Sequence, residues 1–130
     1  MSDRVIVFRV DRRSGTAVYA QLVRQVQQAV RTGRLAPGDR LPTAREVAER
    51  AGINPNTVLR AYRDLEVAGL VEPRQGSGTF VRAGLARPAA DLDGLRAELA
   101  EWFERARTAG LEPADIHALI ADVGESHANA

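Results

Sequence analysis

The side chains best placed to do chemistry lie in Asn54-Pro55-Asn56-Thr57-Val58-Leu59-Arg60-Ala61-Tyr62-Arg63. Asn54 is a preferred helix N-cap, and Pro55 suits the first helical position, where an N–H would have no intrahelical partner. Val58, Ala61, Tyr62 and Leu65 recur at helical spacing and define one apolar stripe. The opposite face carries Asn56, Leu59, Arg60 and Arg63, so polar and cationic groups gather toward the start of the helix. Asn and Arg make paired hydrogen bonds to base edges, and an exposed helix tip is where such readers sit. The chemistry on offer is recognition by hydrogen bonding and charge.

Bond-making chemistry has no comparable foothold. His117 and His127 are the only histidines, and no Cys or carboxylate pair accompanies them at ligand spacing, so no metal is expected. With no cysteine there is no disulfide framework and no thiol nucleophile. No G-x-x-x-x-G-K-[ST] loop, G-x-S-x-G elbow or supported Ser/His/Asp grouping occurs. The expectation is a protein with no catalytic residue and no cofactor.

The elements that must position the recognition helix can be read on either side of it. Thr43-Ala44-Arg45-Glu46 has the form of a capping box and starts a short helix whose Val47, Ala48 and Ala51 face inward. Gly52 stops it, leaving only a tight turn before Asn54, which is helix-turn-helix grammar. Upstream, Val5 to Val10 reads as a short strand broken by Asp11-Arg12-Arg13-Ser14-Gly15. Val18 to Thr32 reads as a helix with Tyr19, Leu22, Val23, Val26 and Val30 inward, and with Gln21, Arg24, Gln27, Gln28 and Arg31 on the other face. Asp39 to Pro42 is long enough for a minimal strand. Downstream, Leu70 to Arg74 and Thr79 to Arg82 are strands joined by Gln75-Gly76-Ser77-Gly78, a hairpin in the position of a wing.

Gly84 to Ala90, with Pro88, reads as a linker to two more helices. Leu92, Leu95, Leu99, Trp102 and Ala106 step by three and four along the first, with Phe103 beside them. The second starts at Pro113 and carries Ile116, Leu119, Ile120 and Val123 on one face. Two helices of this size cannot enclose a core alone, so this side must pack on the front domain or on a partner chain.

The chain has 130 residues, of which 45% are hydrophobic, enough for a small core. Apolar runs are too short for a membrane span, and the N-terminus does not read as a signal peptide, so a cytoplasmic protein without membrane contact is expected. The net charge of +1 hides a division. Residues 1–82 hold 14 Arg against 8 acids, net +6, and residues 83–130 hold 4 Arg against 9 acids, net −5. The front is the polyanion-binding part. All 18 basic residues are Arg, which favours bidentate contacts, although a G+C-rich genome accounts for that usage more simply.

The order of these elements, with Gly33-Arg34-Leu35-Ala36-Pro37-Gly38-Asp39-Arg40-Leu41-Pro42, Arg45-Glu46-Val47-Ala48, Asn54 to Tyr62, Leu65-Glu66, Gly69-Leu70 and Gly76-Ser77-Gly78-Thr79-Phe80-Val81, resembles the GntR family of bacterial transcription regulators. The likeness spans roughly residues 5 to 82, and the two-helix tail resembles that of the YtrA-like subfamily, whose C-terminal part dimerises. It implies a mainly α fold with a small antiparallel β-sheet, a winged helix-turn-helix over 1–84 and a helical dimerisation domain over 85–130. Carried over by position, it implies DNA contacts from Arg45, Asn54, Asn56, Thr57 and Gly76. With the Thr43 cap, the outward Arg60 and Arg63, and Gln75, Ser77 and Gly78 of the hairpin, these make the expected DNA-facing set. Leu92, Leu95, Leu99, Trp102, Phe103, Ile116, Leu119 and Ile120 make the expected dimer set. Two departures stand out: many relatives have Arg where this chain has Leu59, which shifts base reading to Asn56 and Arg60, and Ala17 replaces a common proline.

The function expected is that of a dimeric repressor on a palindromic double-stranded DNA operator, with transporter genes a family-level expectation for its targets. The rival is a winged-helix interaction module or an architectural DNA-binding protein without sequence choice. The sequence assigns no small-molecule effector.

Overall fold

The computed structural model describes residues 6–82 and 92–128. Its elements run α1 (Val18–Arg31), α2 (Ala44–Ala51), α3 (Pro55–Val67), β1 (Val71–Arg74), β2 (Gly78–Val81), α4 (Leu92–Thr108) and α5 (Pro113–Ala128). The chain divides into two compact units, Met1–Ala89 and Ala90–Ala130. The expected linker, Gly84 to Ala90, lies outside the described residues.

In the first unit α3 packs against both α1 and α2 and adjoins β1. The four residues of its expected stripe, Val58, Ala61, Tyr62 and Leu65, are all buried. They meet Leu22, Val26 and Val30 of α1, Val47 of α2, and Val71 and Val81 of the hairpin in one core. Each fully buried aliphatic side chain contributes about 1.5–3 kcal/mol, so the stripe fixes the orientation of α3. At its end, Leu70 N–H donates to the Leu65 carbonyl and Gly69 N–H to the Glu66 carbonyl, both at 3.0 Å. These are the crossed bonds of a Schellman stop, and they turn the chain directly into β1.

β1 and β2 pair antiparallel, with Val71 opposite Val81 and Arg74 opposite Gly78. The expected strand over Asp39 to Pro42 is reduced to a single bridge, Arg40 with Phe80. Leu41 N–H donates to the Thr79 carbonyl at 2.8 Å and Val81 N–H to the Asp39 carbonyl at 2.8 Å. Pro42 then has no N–H to extend the ladder, and α2 begins two residues later.

The expected N-terminal strand is not formed. Ile6 to Val10 forms neither helix nor strand; Ile6 is buried and Phe8 and Val10 pack against the core, and among the described residues no strand pairs with it. Two glutamine side chains of α1 take that place. Gln25 accepts from Arg9 N–H at 2.9 Å and donates to the Arg9 carbonyl at 2.8 Å. Gln21 accepts from Asp11 N–H at 2.9 Å, and its amide donates to the carbonyls of Asp11 and Thr16 at 2.8 and 2.9 Å. Each carboxamide offers the donor and acceptor of a peptide unit, and positions 21 and 25 lie one helical turn apart on one face. Gln21 is therefore buried at 9% exposure, not turned to solvent as the helical pattern suggests.

The second unit is a helical pair. α4 ends in another Schellman pattern, Leu111 N–H to the Ala106 carbonyl at 3.1 Å and Gly110 N–H to the Arg107 carbonyl at 3.0 Å. Ala106 and Ile116 are its buried residues. Trp102 and Phe103 are half-buried and meet edge to face at 5.6 Å between ring centres. Leu95, Leu99, Leu119, Ile120 and Val123 stay exposed within the chain, and Leu92 is half-buried.

Replacing Gln21 by Ala removes its bonds to the Asp11 N–H and to the Asp11 and Thr16 carbonyls, leaving the Asp11 carbonyl only Ser14 N–H at 3.3 Å. The variant is expected to lose about 1–3 kcal/mol of stability; a urea midpoint equal to that of the parent would show that water serves those groups as well.

Candidate nucleic-acid interface

The interface is built on three local devices. At the start of α2, Glu46 N–H donates to the Thr43 hydroxyl and Thr43 N–H to the Glu46 carboxylate, each at 3.1 Å, completing the capping box. The bonds from the Thr43 backbone and then its side chain hold the Glu46 carboxyl below the usual carboxylate range. Its support for α2 is thus present at neutral pH and is lost as pH falls through that lowered value. At the turn, Gly52 takes φ 67°, a left-handed conformation that costs a side-chain residue energy, and its N–H donates to the Ala48 carbonyl at 2.9 Å. At the start of α3, the Asn54 carboxamide accepts from Asn56 N–H at 2.8 Å.

Arg12 adds a tie that no local sequence signal announces. Its guanidinium donates to the Gly52 carbonyl, joining the loop before α1 to the turn between α2 and α3. Tyr62 adds another from the buried side: its hydroxyl donates to the Pro42 carbonyl at 2.6 Å. Pro42 directly precedes the Thr43 cap, so α3 is pinned to the start of α2.

Given these fixed helices, the expected readers fall into two groups. Thr43 and Asn54 already use their side-chain oxygens as caps, so their first role is to aim the helices. Arg45 on α2 and Asn56, Leu59, Arg60 and Arg63 on α3 are exposed, and Thr57 is half-buried. Among the described residues the side chains of Arg45, Asn56 and Arg63 make no hydrogen bond or ion pair, which leaves their donors open. Arg60 is exposed but not loose: its guanidinium carbon lies 3.7 Å from the ring centre of Tyr19 in α1.

The hairpin tip exposes Gln75, Gly76 and Ser77, with Gly78 half-buried in β2. Gly78 is favoured by its φ of 114°, and a Cβ there would also sit 3.0 Å from Nε of the Arg40 side chain, which would have to shift. Arg40 is thus a further cation against the hairpin that motif reading passed over. Arg74 stacks on Phe80 at 4.2 Å and lies 3.8 Å from the Glu72 carboxylate, so part of its charge is answered within the hairpin. The sequence pattern ranks Tyr19 as a core residue; its partner is forty-one positions away and leaves no periodic trace.

A capped two-helix motif with an amphipathic second helix, followed by an antiparallel hairpin, defines a winged helix-turn-helix DNA-binding protein. Residues 9–81 match the family described as bacterial regulatory proteins, gntR family. The chain belongs to the GntR family. It is 43% identical over 115 residues to the HTH-type transcriptional regulator Rv1152 of Mycobacterium tuberculosis, covering 88% of this chain and 92% of that one. It is 31% identical over 119 residues to the HTH-type transcriptional repressor YtrA of Bacillus subtilis, covering 90% and 92%. The solved structure of YtrA from Sulfolobus acidocaldarius, a GntR-family transcription factor, superposes with a TM-score of 0.57 at 29% identity, covering 79% of this chain and 99% of that one. These relatives are transcription regulators and not enzymes. Among the described residues no helix is long and apolar enough to cross a membrane.

Burial raises the Tyr62 pKa well above its ordinary 10.0. The folded state therefore holds this proton more tightly than the unfolded chain, and the stability it supplies is complete below pH 10 and lost as pH rises above it. Tyr62→Phe is expected to cost about 1–2 kcal/mol at pH 7 and to flatten the alkaline decline. Thermal melts of parent and variant from pH 7 upward check both; an identical decline would place its cause elsewhere.

Proposed function

We propose that the chain is a sequence-specific, dimeric transcriptional repressor acting in the cytoplasm on a palindromic operator. The observation that carries the reading is the row of unoccupied donors on the exposed face of α3, Asn56 and Arg63, beside Arg45 of α2. α3 enters the major groove with its N-terminal turn first, and Asn56 reads a base edge. Arg45 meets phosphate or a base at the groove edge, and Gln75 to Gly78 lie along the flanking backbone. The printed role of the Bacillus YtrA relative supports repression. Transporter genes are the targets that the family resemblance suggests.

The dimer reading rests on the second unit. Leu95, Leu99, Leu119, Ile120 and Val123 are 38–53% exposed, five large apolar side chains on two helices that bury few of their own. A second copy of the same faces covers them about a two-fold axis, and the axis carries over to the operator.

Asn56→Ala is expected to weaken binding to a site selected from random duplexes by about 1–3 kcal/mol while leaving affinity for unrelated DNA nearly unchanged. Fluorescence anisotropy on both duplexes tests this, and equal losses would remove Asn56 from the base readers. Equal binding of the parent chain to selected and unrelated DNA would mark an architectural protein instead.

For the dimer, sedimentation of Leu99→Glu is expected to show a folded monomer whose operator affinity has dropped by ~10²-fold. An unperturbed dimer would exclude this face from the interface.

A further inference from the structure

We propose that Tyr19 is a positioning residue for DNA recognition, with its ring serving as the platform that holds Arg60 ready on the α1 side of the recognition helix. The inference rests on the reading of α3 as the DNA-reading helix and adds to it a residue on another element.

Tyr19 is the second residue of α1, half-buried and packed against the core, so its ring is held by the fold. Arg60 leaves the exposed face of α3 and lays its guanidinium on that ring, 3.7 Å from the centre. A cation held over a ring face is attracted by the ring quadrupole without a hydrogen bond, so the guanidinium N–H groups need not be spent on the contact. Among the described residues no carboxylate or carbonyl takes those donors. The contrast with Arg74 is informative, since that side chain also stacks on a ring but has Glu72 at 3.8 Å. An anionic partner would compete with DNA for the cation, whereas a tyrosine ring holds it through its quadrupole and leaves the full positive charge on offer.

The second consequence is entropic. An exposed arginine has many rotamers, and fixing them on binding weakens the contact. Here the rotamer is selected when α1 and α3 pack, before DNA arrives. Arg63, one turn closer to the end of α3, has no such platform. Removing the stack should therefore weaken binding by about two- to fivefold for each DNA-bound head, the range of an exposed cation–π contact.

The test uses the full chain, its selected operator and an unrelated duplex, with Tyr19→Phe, Tyr19→Leu, Arg60→Ala and the double variant Tyr19→Leu/Arg60→Ala. Tyr19→Phe should bind like the parent, and Tyr19→Leu should weaken binding. In the Arg60→Ala background Tyr19→Leu should have no further effect, a coupling that a merely structural role would not produce. A loss confined to the operator identifies a base contact; an equal loss on both duplexes with a shallower salt dependence identifies a phosphate contact, and either supports the proposal. Equal weakening by Tyr19→Leu with and without Arg60, or none in either, overturns it. Should Tyr19→Leu fail to fold, pentafluorophenylalanine at position 19 keeps the shape and reverses the ring quadrupole, and parent-like binding by that protein also overturns the proposal. Unaltered binding by Arg60→Ala alongside a weakened Asn56→Ala overturns this inference and spares the reading of α3. A parent chain that binds no duplex overturns both.

Discussion

The buried stripe of α3 is the constraint on which the DNA-binding unit depends. Val58, Ala61 and Leu65 have no solvent exposure, and Tyr62 lies beside them with its hydroxyl on the Pro42 carbonyl. Successive residues of an α-helix are 100° apart, so a slip of one position would drive Leu59 or Arg63 toward the core in place of an apolar neighbour. Burying an unpaired guanidinium costs far more than the few kcal/mol by which a small domain is stable. The face of α3 that presents Asn56, Arg60 and Arg63 is thus set from behind, by packing.

The same unit shows how polar side chains can replace a secondary-structure element. The segment from Ile6 to Val10 has the composition of a strand, yet its backbone is paired by the Gln25 carboxamide at Arg9, while Gln21 takes the backbone of Asp11 just beyond it. These bonds hold the backbone at Arg9 and Asp11, one residue before Arg12, whose guanidinium reaches the Gly52 carbonyl. Separate hydrogen bonds at Arg9, Asp11 and Arg12 therefore tie this stretch of chain both to α1 and to the turn that aims α3. Asp11 strengthens it locally by accepting from Arg13 N–H at 2.9 Å.

Periodicity and cap chemistry carried most of the fold. The three helices of the first unit, the capping box at Thr43 and Glu46, the Asn54 cap and the hairpin were all legible because each is a local pattern: apolar residues every three or four positions, a Thr three residues before a Glu, glycines between β-branched runs. What stayed hidden depends on partners distant in sequence. The β-branched and aromatic run of Val5 to Val10 announces an extended chain without saying what pairs with it, and glutamines on a helix ordinarily face water. Asp39 to Pro42 looked like a strand because its composition does not reveal that Pro42 and the start of α2 leave room for one bridge. The exposed face of α3 could be listed from its helical spacing, but the separate states of its members could not. Asn54 is spent as a cap, Asn56 is open, and Arg60 is committed to an aromatic ring on another helix.

The charge division along the chain bears on how specificity can arise. A head with net +6 attracts any duplex, and that attraction is screened over about 8 Å at physiological salt and carries no sequence information. Base reading by one Asn and one or two Arg side chains adds only about 1–3 kcal/mol for each good pair, too little for one small head to pick its site from a genome. In the dimeric reading the second unit supplies the missing selectivity without touching DNA. By joining two heads it makes the second contact intramolecular, so two modest discriminations multiply at a correctly spaced palindrome and do not at a random site. The net −5 of residues 83–130 adds no attraction for phosphate, which keeps the gain confined to the geometry of the paired heads. In that reading the exposed apolar residues of α4 and α5 have an energetic task, and the proposed readers Arg45, Asn56 and Arg60 need supply only the small differences that this coupling amplifies.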